Sequence, residues 1–217
     1  MEMLEWMKQR HSVRQYTDKK IEPEKRAALD KMIAEINQNT GLHVQVFYEE
    51  PKCFDSMMAH YGKFSGVKNY IALVGKKSET LEEQLGYQGE RLVLKAQELG
   101  LNTCWVAMTH GKSKAEIGKD EKQVCLISLG YGCTSGAAHK NKKMSEVCNY
   151  KEGMPEWFLK GVEAALLAPT AMNQQKFFFE LLPDGQVKAS SGRGFYTKLD
   201  LGIVKYHFEE VSGKNVQ

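Results

Sequence analysis

Several features are missing from the sequence, and each absence excludes a class of protein. No stretch approaches the ~20 continuous apolar residues of a membrane-spanning helix. The first residues include Glu2, Glu5 and Lys8, which are not typical of a secretory signal. The cysteines form an odd set without a Cys-x-x-Cys pair: Cys53, Cys104, Cys125, Cys133 and Cys148. We therefore expect a cytoplasmic protein with reduced thiols and no membrane partner.

An excess of one charge is also missing. The chain has 30 basic and 27 acidic residues, with a formal net charge of +3. Nucleic-acid-binding proteins usually concentrate a large positive excess. We therefore expect no nucleic-acid partner, and any anion-binding site must be local.

Common catalytic and metal-binding motifs are absent as well. The sequence has no Gly-x-Ser-x-Gly, and its six histidines include no His-Glu-x-x-His spacing. Neither an esterase-type nucleophile nor a metal centre is therefore predicted. Gly130-x-Gly132 is not a dinucleotide-binding fingerprint, because no Gly-x-Gly-x-x-Gly opens a helix there.

Hydrophobic periodicity predicts helices that alternate with strands. The predicted helices span residues 3–10, 22–36, 56–64, 79–99, 155–168 and 200–211, with Asp200 as the N-cap of the last. The predicted strands span residues 42–48, 70–74, 103–108, 124–129, 176–182 and 187–190. Residues 136–147 form a basic loop rich in small residues. This order indicates a layered fold of mixed helices and strands.

One candidate site follows the first helix. Arg10, Ser12 and Arg14 place two guanidiniums beside a hydroxyl. Guanidiniums donate forked, charge-assisted hydrogen bonds to phosphate, and a serine hydroxyl adds a shorter one. On composition alone, the alternative is a solvated basic loop.

A second candidate segment, residues 168–175, follows a predicted helix. Pro169 ends the helix, Thr170 offers a hydroxyl, and Asn173 and Gln174 offer carboxamides that both donate and accept. Such amides suit the edge of a planar heterocycle on which carbonyl and nitrogen groups alternate. Alternatively, they satisfy backbone groups of a helix-terminating loop.

Two further segments surround predicted strands. Residues 100–106 read Gly-Leu-Asn-Thr-Cys-Trp-Val, and a strand ending at Gly130-Tyr131 precedes a lysine-rich stretch around Lys140 and Lys142. Without context, the first is equally a buried core strand, and the second is a solvated surface loop.

Together, these segments resemble the nitroreductase family. Arg10, Ser12, Arg14 and Tyr16 are similar to the N-terminal signature that binds the ribityl phosphate of FMN. Ala-Pro-Thr-Ala-x-Asn-x-Gln is similar to the family's Ala-Pro-Ser-x-x-Asn-x-Gln-Pro-Trp segment beside the isoalloxazine, although Lys176-Phe177 replaces Pro-Trp. Helix-Leu-Gly-Leu-x-Thr-Cys-Trp is similar to the segment whose backbone passes beside flavin N5 and O4.

The resemblance implies an α+β sandwich in which helices flank a central mixed β-sheet. It also implies non-covalently bound FMN, NAD(P)H as hydride donor, and nitro compounds, quinones or similar small acceptors. No side chain is expected to be catalytic, because the flavin N5 carries the chemistry. The implied cofactor-binding residues are Arg10, His11, Ser12, Arg14, Thr103, Cys104, Trp105, Val106, Ala107, Lys140, Lys142, Pro169, Thr170, Ala171, Asn173 and Gln174.

The order of the segments departs from the usual family pattern, because the Asn-Gln loop lies far towards the C-terminus. Residues 29–48 and 158–180 both run helix, Asn-rich loop, strand, and each is followed by a helix with an early glycine, Gly89 or Gly202. We interpret residues 1–217 as one nitroreductase-like domain built from two half-repeats, about 1–150 and 151–217. Such a chain forms either a monomeric pseudo-dimer or a homodimer.

Two alternatives stay open at the level of sequence. The chain could bind FMN without turnover, which the missing Pro-Trp pair allows. It could also be a non-flavin module that binds another phosphorylated ligand through its basic N-terminal loop.

Overall fold

The computed structural model of the chain describes residues 2–217. Its helices are α1 (Met3–Gln9), α2 (Pro23–Thr40), α3 (Met57–Tyr61), α4 (Leu81–Glu98), α5 (Glu156–Leu166) and α6 (Thr197–Ser212). Its strands are β1 (Gln45–Phe47), β2 (Asn69–Lys76), β3 (Asn102–Val106), β4 (Glu121–Gly130), β5 (Phe177–Leu181) and β6 (Val187–Ser191). None of the helices in this range combines the length and apolar character that crossing a membrane requires.

The chain divides into two compact units, each built from discontinuous segments. The sheet unit comprises Arg10–Leu81 and Leu92–Ala137. The hairpin unit comprises the N-terminal segment ending at Gln9, together with Glu82–Arg91 and Ala138–Gln217. Helix α4 therefore contributes residues to both units.

The sheet unit is organised by four strands in the order β1-β2-β4-β3. Strand β2 is apolar and buried along almost its whole length, as expected of a strand covered on both faces. All strand ladders in this sheet are antiparallel. Parallel pairing within this unit comes from the isolated bridges of Ser12 with Thr103 and Gln15 with Ser65.

In the hairpin unit, α6 packs against the antiparallel pair of β5 and β6, and α5 packs against α6. Three phenylalanines form its centre. The Phe179 and Phe208 rings stack with centroids 4.7 Å apart, and Phe158 meets Phe208 edge-on at 5.8 Å. Gly161 leaves room for this cluster, because a Cβ there would lie 2.6 Å from the Phe208 ring.

Helices α4 and α6 cross at two glycines within the hairpin unit. A Cβ on Gly86 would lie 2.0 Å from the Leu199 carbonyl oxygen, and one on Gly202 would lie 1.9 Å from the Glu83 carbonyl oxygen. Each glycine therefore faces the carbonyl that lies three residues before the other glycine. This local two-fold relationship lets the two backbones come into direct contact.

The α+β class predicted from the sequence is confirmed, and each predicted helix and strand has an observed counterpart. The observed ends of α2 and β1 differ from the predicted ones. The predicted stop of α2 at Asn37 is wrong, because the helix continues to Thr40 and ends at Gly41, whose φ of 71° is left-handed. Strand β1 starts late, since the Asn37 carboxamide pairs with the N–H and carbonyl of Val44, each at 2.8 Å.

Candidate functional site

The N-terminal basic segment lies alongside β3 in the sheet unit. Ser12 forms a parallel bridge with Thr103, and the Val13 N–H donates to the Thr103 carbonyl over 3.0 Å. This pairing is available because β3 is an edge strand of the four-stranded sheet. The fold thus brings together two of the segments singled out in the sequence, 10–14 and 103–107.

Three predicted phosphate ligands interact with the Cys104 thiol on β3. Burial raises the pKa of this thiol, while the positive charge of Arg14, a hydrogen bond with the Ser12 side chain and the charge of Arg10 act in the opposite direction. Arg10 is only 3% exposed. Arg14 is exposed, and its guanidinium carbon lies 5.9 Å from the centre of the Phe64 ring. Two cations and a hydroxyl therefore occupy one corner of the sheet unit.

The other predicted residues of the sheet unit adjoin this corner. His11 is half-buried and packs beside Gly136, where a Cβ would lie 2.7 Å from the His11 Cβ. Val106 is buried, whereas Trp105 and Ala107 are half-buried. Because alternate residues of a strand direct their backbone groups to the same edge, the Trp105 N–H faces the edge at which Thr103 meets Val13.

The aromatic residue that follows the Arg-x-Ser-x-Arg pattern anchors the segment. The Tyr16 hydroxyl donates to the Val13 carbonyl over 2.7 Å and lies 2.8 Å from the Ser128 hydroxyl. Tyr16 is buried, and this burial is the main reason that its pKa lies well above the usual value. The phenol therefore stays neutral and fixes the backbone between the two arginines to β4.

In the hairpin unit, Gln175 joins the two predicted loops. This residue is 2% exposed. Its Nε2 donates to the Lys140 carbonyl over 2.8 Å, and its Oε1 accepts from the Lys142 N–H over 2.9 Å. Its own N–H donates to the Thr170 hydroxyl oxygen over 3.0 Å. The fold therefore brings the lysine loop and the 169–175 loop together through a buried carboxamide.

The carboxamides of Asn173 and Gln174 also make internal hydrogen bonds. The Asn173 Nδ2 donates to the Lys140 carbonyl over 2.9 Å. The Gln174 Nε2 donates to the Phe195 carbonyl over 2.9 Å and to Asp200 Oδ2 over 2.7 Å. Both hydrogens of the Gln174 amide are thus engaged, which leaves its oxygen as the group available to a further donor.

The two predicted lysines have different surroundings. The Lys142 ammonium donates to the Gln175 carbonyl over 2.8 Å. The Lys140 side chain is exposed, whereas Pro169, Thr170 and Ala171 are half-buried. Of the two cations, Lys140 is therefore the one that extends into solvent.

The structure corrects the predicted role of Asp200. Tyr196 precedes α6 as its N-cap, with a left-handed φ of 59°, and Asp200 lies within the first turn of the helix. Its carboxylate accepts from the Ala171 N–H over 2.9 Å as well as from Gln174. Burial raises the pKa of Asp200 to about 6, although both hydrogen bonds act to lower it. The side chain therefore braces the 171–174 loop rather than its own helix.

Left-handed backbone is concentrated at this loop. Met172, Asn173 and Gln175 have φ values of 52°, 53° and 44°. Non-glycine residues adopt this region at an energetic cost, and such residues cluster at functional sites. Met172 is also 98% exposed, which is unusual for an apolar side chain at a strained position.

Gln175 and Asp200 are the residues that sequence reasoning missed. The signal for Gln175 was present, because the Asn-x-Gln spacing of the motif places its glutamine at 175, one residue after Gln174. No local pattern identifies Asp200 as the brace of a loop that begins 29 residues earlier. Residues 2–217 contain no group of three or more His, Cys, Asp or Glu side chains arranged to hold a metal ion.

The fold is similar to that of several nitroreductases of known structure. A Thermotoga maritima protein with a provisional nitroreductase designation shares 24% identity, with 97% of this chain and 83% of that chain covered and a TM-score of 0.72. A Bacteroides thetaiotaomicron protein, provisionally an NADH dehydrogenase/NAD(P)H nitroreductase, shares 20% identity over 69% of this chain and 96% of that chain, with a TM-score of 0.53. A Clostridium acetobutylicum protein, provisionally an NADH oxidase, shares 19% identity over 65% and 96%, with a TM-score of 0.51.

The family follows from the sequence match. The family described as "Putative TM nitroreductase" matches residues 2–212. The chain belongs to this nitroreductase family, and its membership supports an oxidoreductase activity. Comparison with curated proteins gave no significant match.

Proposed function

We propose that the chain binds FMN non-covalently and uses it to transfer electrons from NAD(P)H to nitro compounds, quinones or similar small acceptors. The observation that carries the proposal is the grouping of Arg10, Ser12 and Arg14 around Cys104 at the edge of the sheet. Family membership supplies the reaction class.

The donor set suits a phosphate monoester. Two guanidiniums supply positive charge and paired N–H donors, and the Ser12 hydroxyl adds a single donor. Tyr16 holds the backbone between them through Val13, so the charged groups are positioned before a ligand arrives. Such preorganisation reduces the entropy lost on binding.

The hairpin unit supplies a second set of proposed cofactor-binding residues. We assign cofactor contacts to Pro169, Thr170, Ala171, Asn173 and Gln174, with Lys140 and Lys142 as candidate phosphate cations. Because the amide hydrogens of Gln174 are already donated, its oxygen is the atom that it offers. Lys140 is the stronger candidate of the two lysines, since the Lys142 ammonium bonds to Gln175.

The chain's own residues bind and orient rather than react. When bound, FMN supplies the chemistry of accepting a hydride and passing electrons on. The arginines hold the phosphate, and we assign contacts beside the ring to the strand residues Thr103, Cys104, Trp105, Val106 and Ala107. The proposed nicotinamide donor agrees with the provisional names of two structural relatives, an NADH dehydrogenase/NAD(P)H nitroreductase and an NADH oxidase.

A visible spectrum of the purified protein tests this function. After incubation with FMN and removal of free flavin, we expect a yellow protein whose absorbance near the flavin maximum is lost when NADH or NADPH is added anaerobically. Retained colour without bleaching would favour a flavin-binding protein without turnover. A colourless protein would overturn the proposal and favour a module for another phosphorylated ligand.

Substitutions in the basic corner test the phosphate assignment. Arg14→Gln or Ser12→Ala removes a hydrogen bond to a charged group, worth about 1.5–3 kcal/mol, so we expect FMN affinity to fall by about 10- to 100-fold. Flavin fluorescence titration measures the affinity. Lys31→Gln, on an exposed position of α2, removes the same charge and should leave FMN affinity unchanged. Equal losses in all three variants would reject the assignment.

We further propose that the chain consists of two half-repeats and binds flavin as a monomeric pseudo-dimer. The reciprocal contact of Gly86 and Gly202 supports an internal two-fold relationship. In this contact the partner of Gly202 is Gly86, whereas the sequence comparison of the two halves matched Gly202 with Gly89. Light scattering coupled to size-exclusion chromatography should give a flavin-loaded species that contains a single 24.6 kDa chain. An obligate homodimer would contradict this proposal without affecting the FMN assignment.

A further inference from the structure

A buried carboxylate makes hydrogen bonds to the loop between α5 and β5 in the hairpin unit. Asp200 is 3% exposed and accepts two hydrogen bonds. One comes from the Ala171 N–H at 2.9 Å and the other from Gln174 Nε2 at 2.7 Å. These bonds hold both sides of the short turn Ala171–Asn173, which contains the strained and exposed Met172.

The orientation of the Gln174 carboxamide follows from its two neighbours. An ionised carboxylate and a backbone carbonyl can only accept hydrogen bonds. The NH2 group of Gln174 must therefore face both Asp200 and the Phe195 carbonyl, at 2.7 and 2.9 Å. Its oxygen is turned away from both.

We propose that Asp200 is a positioning residue that sets the direction of the Gln174 carboxamide and, through it, the conformation of the 171–174 loop. Any effect of Asp200 on cofactor binding rests on the proposed function, in which the same loop contacts the cofactor. The structural part of the proposal does not depend on any ligand.

The arrangement depends on a proton. A protonated carboxyl donates one hydrogen bond, and its O–H cannot face the NH2 group of Gln174. Protonation on the side of Oδ2 that faces Gln174 therefore turns the Gln174 oxygen towards Asp200 and ends the donation to the Phe195 carbonyl. Protonation elsewhere on the carboxyl removes the charge that strengthens both hydrogen bonds. Because burial raises the pKa of Asp200 to about 6, the change falls within an accessible pH range.

Several charged groups of α4, α6 and the adjoining segments have partners other than Asp200. On α4, Glu83 pairs with Lys205 at 2.7 Å, and the Tyr87 hydroxyl donates to Glu209 over 2.8 Å. Just after the 171–174 loop, the Lys176 ammonium donates to the Arg193 carbonyl over 3.0 Å. Glu82 on α4, Tyr196 at the start of α6 and exposed Lys198 are further titratable residues of these elements. No charged side chain contributes to the pKa shift of Asp200, whose causes are burial and its two hydrogen bonds.

NMR titration of the purified protein between pH 5 and 8 tests the proposal. We expect the Ala171 amide and the Gln174 side-chain amide signals to shift together with a midpoint near pH 6, matching the Asp200 carboxyl carbon. Asp200→Asn should abolish the shared transition. Asp184→Asn, at an exposed turn of the same unit, should leave it unchanged.

A second variant keeps the test valid if Asp200→Asn does not fold. Gln174→Leu removes a hydrogen bond that favours the ionised carboxylate, so the midpoint of Asp200 should move to higher pH. A merely structural role for Gln174 would not move this midpoint. Signals of Ala171 and Gln174 that do not titrate with Asp200, or an unchanged midpoint in Gln174→Leu, would overturn the proposal.

The consequence for binding is measured separately. The ratio of FMN dissociation constants between Asp200→Asn and the unmodified chain should be about tenfold at pH 7.5 and near one at pH 5. Using a ratio cancels the titration of the FMN phosphate itself, whose second pKa is about 6. Absence of FMN binding would contradict the proposed function alone, whereas a ratio independent of pH would contradict the role of Asp200 in binding.

Discussion

Gly202→Ala is expected to lower the free energy of unfolding by about 3 kcal/mol, at the upper end of the usual cost of overpacking. A methyl group at this position would lie 1.9 Å from the Glu83 carbonyl oxygen and 2.6 Å from the Tyr87 nitrogen. Both atoms belong to the backbone of α4, so no side-chain rotation relieves the overlap. The two helices must separate, and the loss is measured by urea or thermal unfolding.

The reciprocal variant Gly86→Ala should have a similar effect, because its Cβ would lie 2.0 Å from the Leu199 carbonyl oxygen. The double variant should cost less than the sum of the two, since a single separation of α4 from α6 accommodates both methyl groups. Gly192→Ala is the control, because its Cβ would first meet Lys176 at 3.4 Å. A stability of Gly202→Ala close to that of the control would show that the helices do not cross at these glycines.

His207→Leu is expected to lower the free energy of unfolding by about 3–5 kcal/mol. The imidazole is fully buried; its Nδ1 lies 2.9 Å from the Ala164 carbonyl oxygen and its Nε2 lies 2.9 Å from Glu90 Oε1. Since a carbonyl only accepts, Nδ1 must carry a hydrogen, and a proton lies between Nε2 and Glu90. Removing the imidazole leaves a buried carboxyl without this partner.

Glu90→Gln is the matched control for the buried pair. A glutamine amide can donate to the Nε2 of a neutral His207, so the hydrogen bond is kept while the charge is lost. We expect a loss of about 1 kcal/mol for this variant, which matches the usual contribution of one hydrogen bond. Chemical unfolding of both variants at pH 7 measures the difference. If Glu90→Gln were as destabilising as His207→Leu, charge rather than hydrogen bonding would hold the pair together.

Local patterns predicted the elements well because their signals lie within a few residues. Apolar spacing identified α4 and β4, and Gly41 ends α2 through its left-handed conformation. Exact bounds depended on distant partners. At Val44, the Asn37 carboxamide takes the place of a neighbouring strand as hydrogen-bond partner. Hydrophobic periodicity does not reveal this side-chain contact.

At the proposed site, too, local sequence predicted the residue types, whereas contacts between distant residues fixed their surroundings. The sequence identified Arg10, Ser12 and Arg14 as a possible anion site, since the residue types themselves carry the chemistry. The segment alone did not distinguish it from a solvated loop. The bridge between Ser12 and Thr103 gives these side chains a fixed neighbour in Cys104, and this contact spans residues that are far apart in the chain.

By itself, the sequence indicated the family through the resemblance of its motifs. Short-range spacing and residue type indicated the α+β class and the segments rich in phosphate-binding groups and carboxamides. Only the tertiary structure decided which polar atoms remain available to a ligand. The amide hydrogens of Gln174 are donated to Asp200 and Phe195, and Gln175 is buried between two loops. Hydrogen-bond partners are chosen by proximity after folding, so a list of donors in the chain does not reveal which are already used.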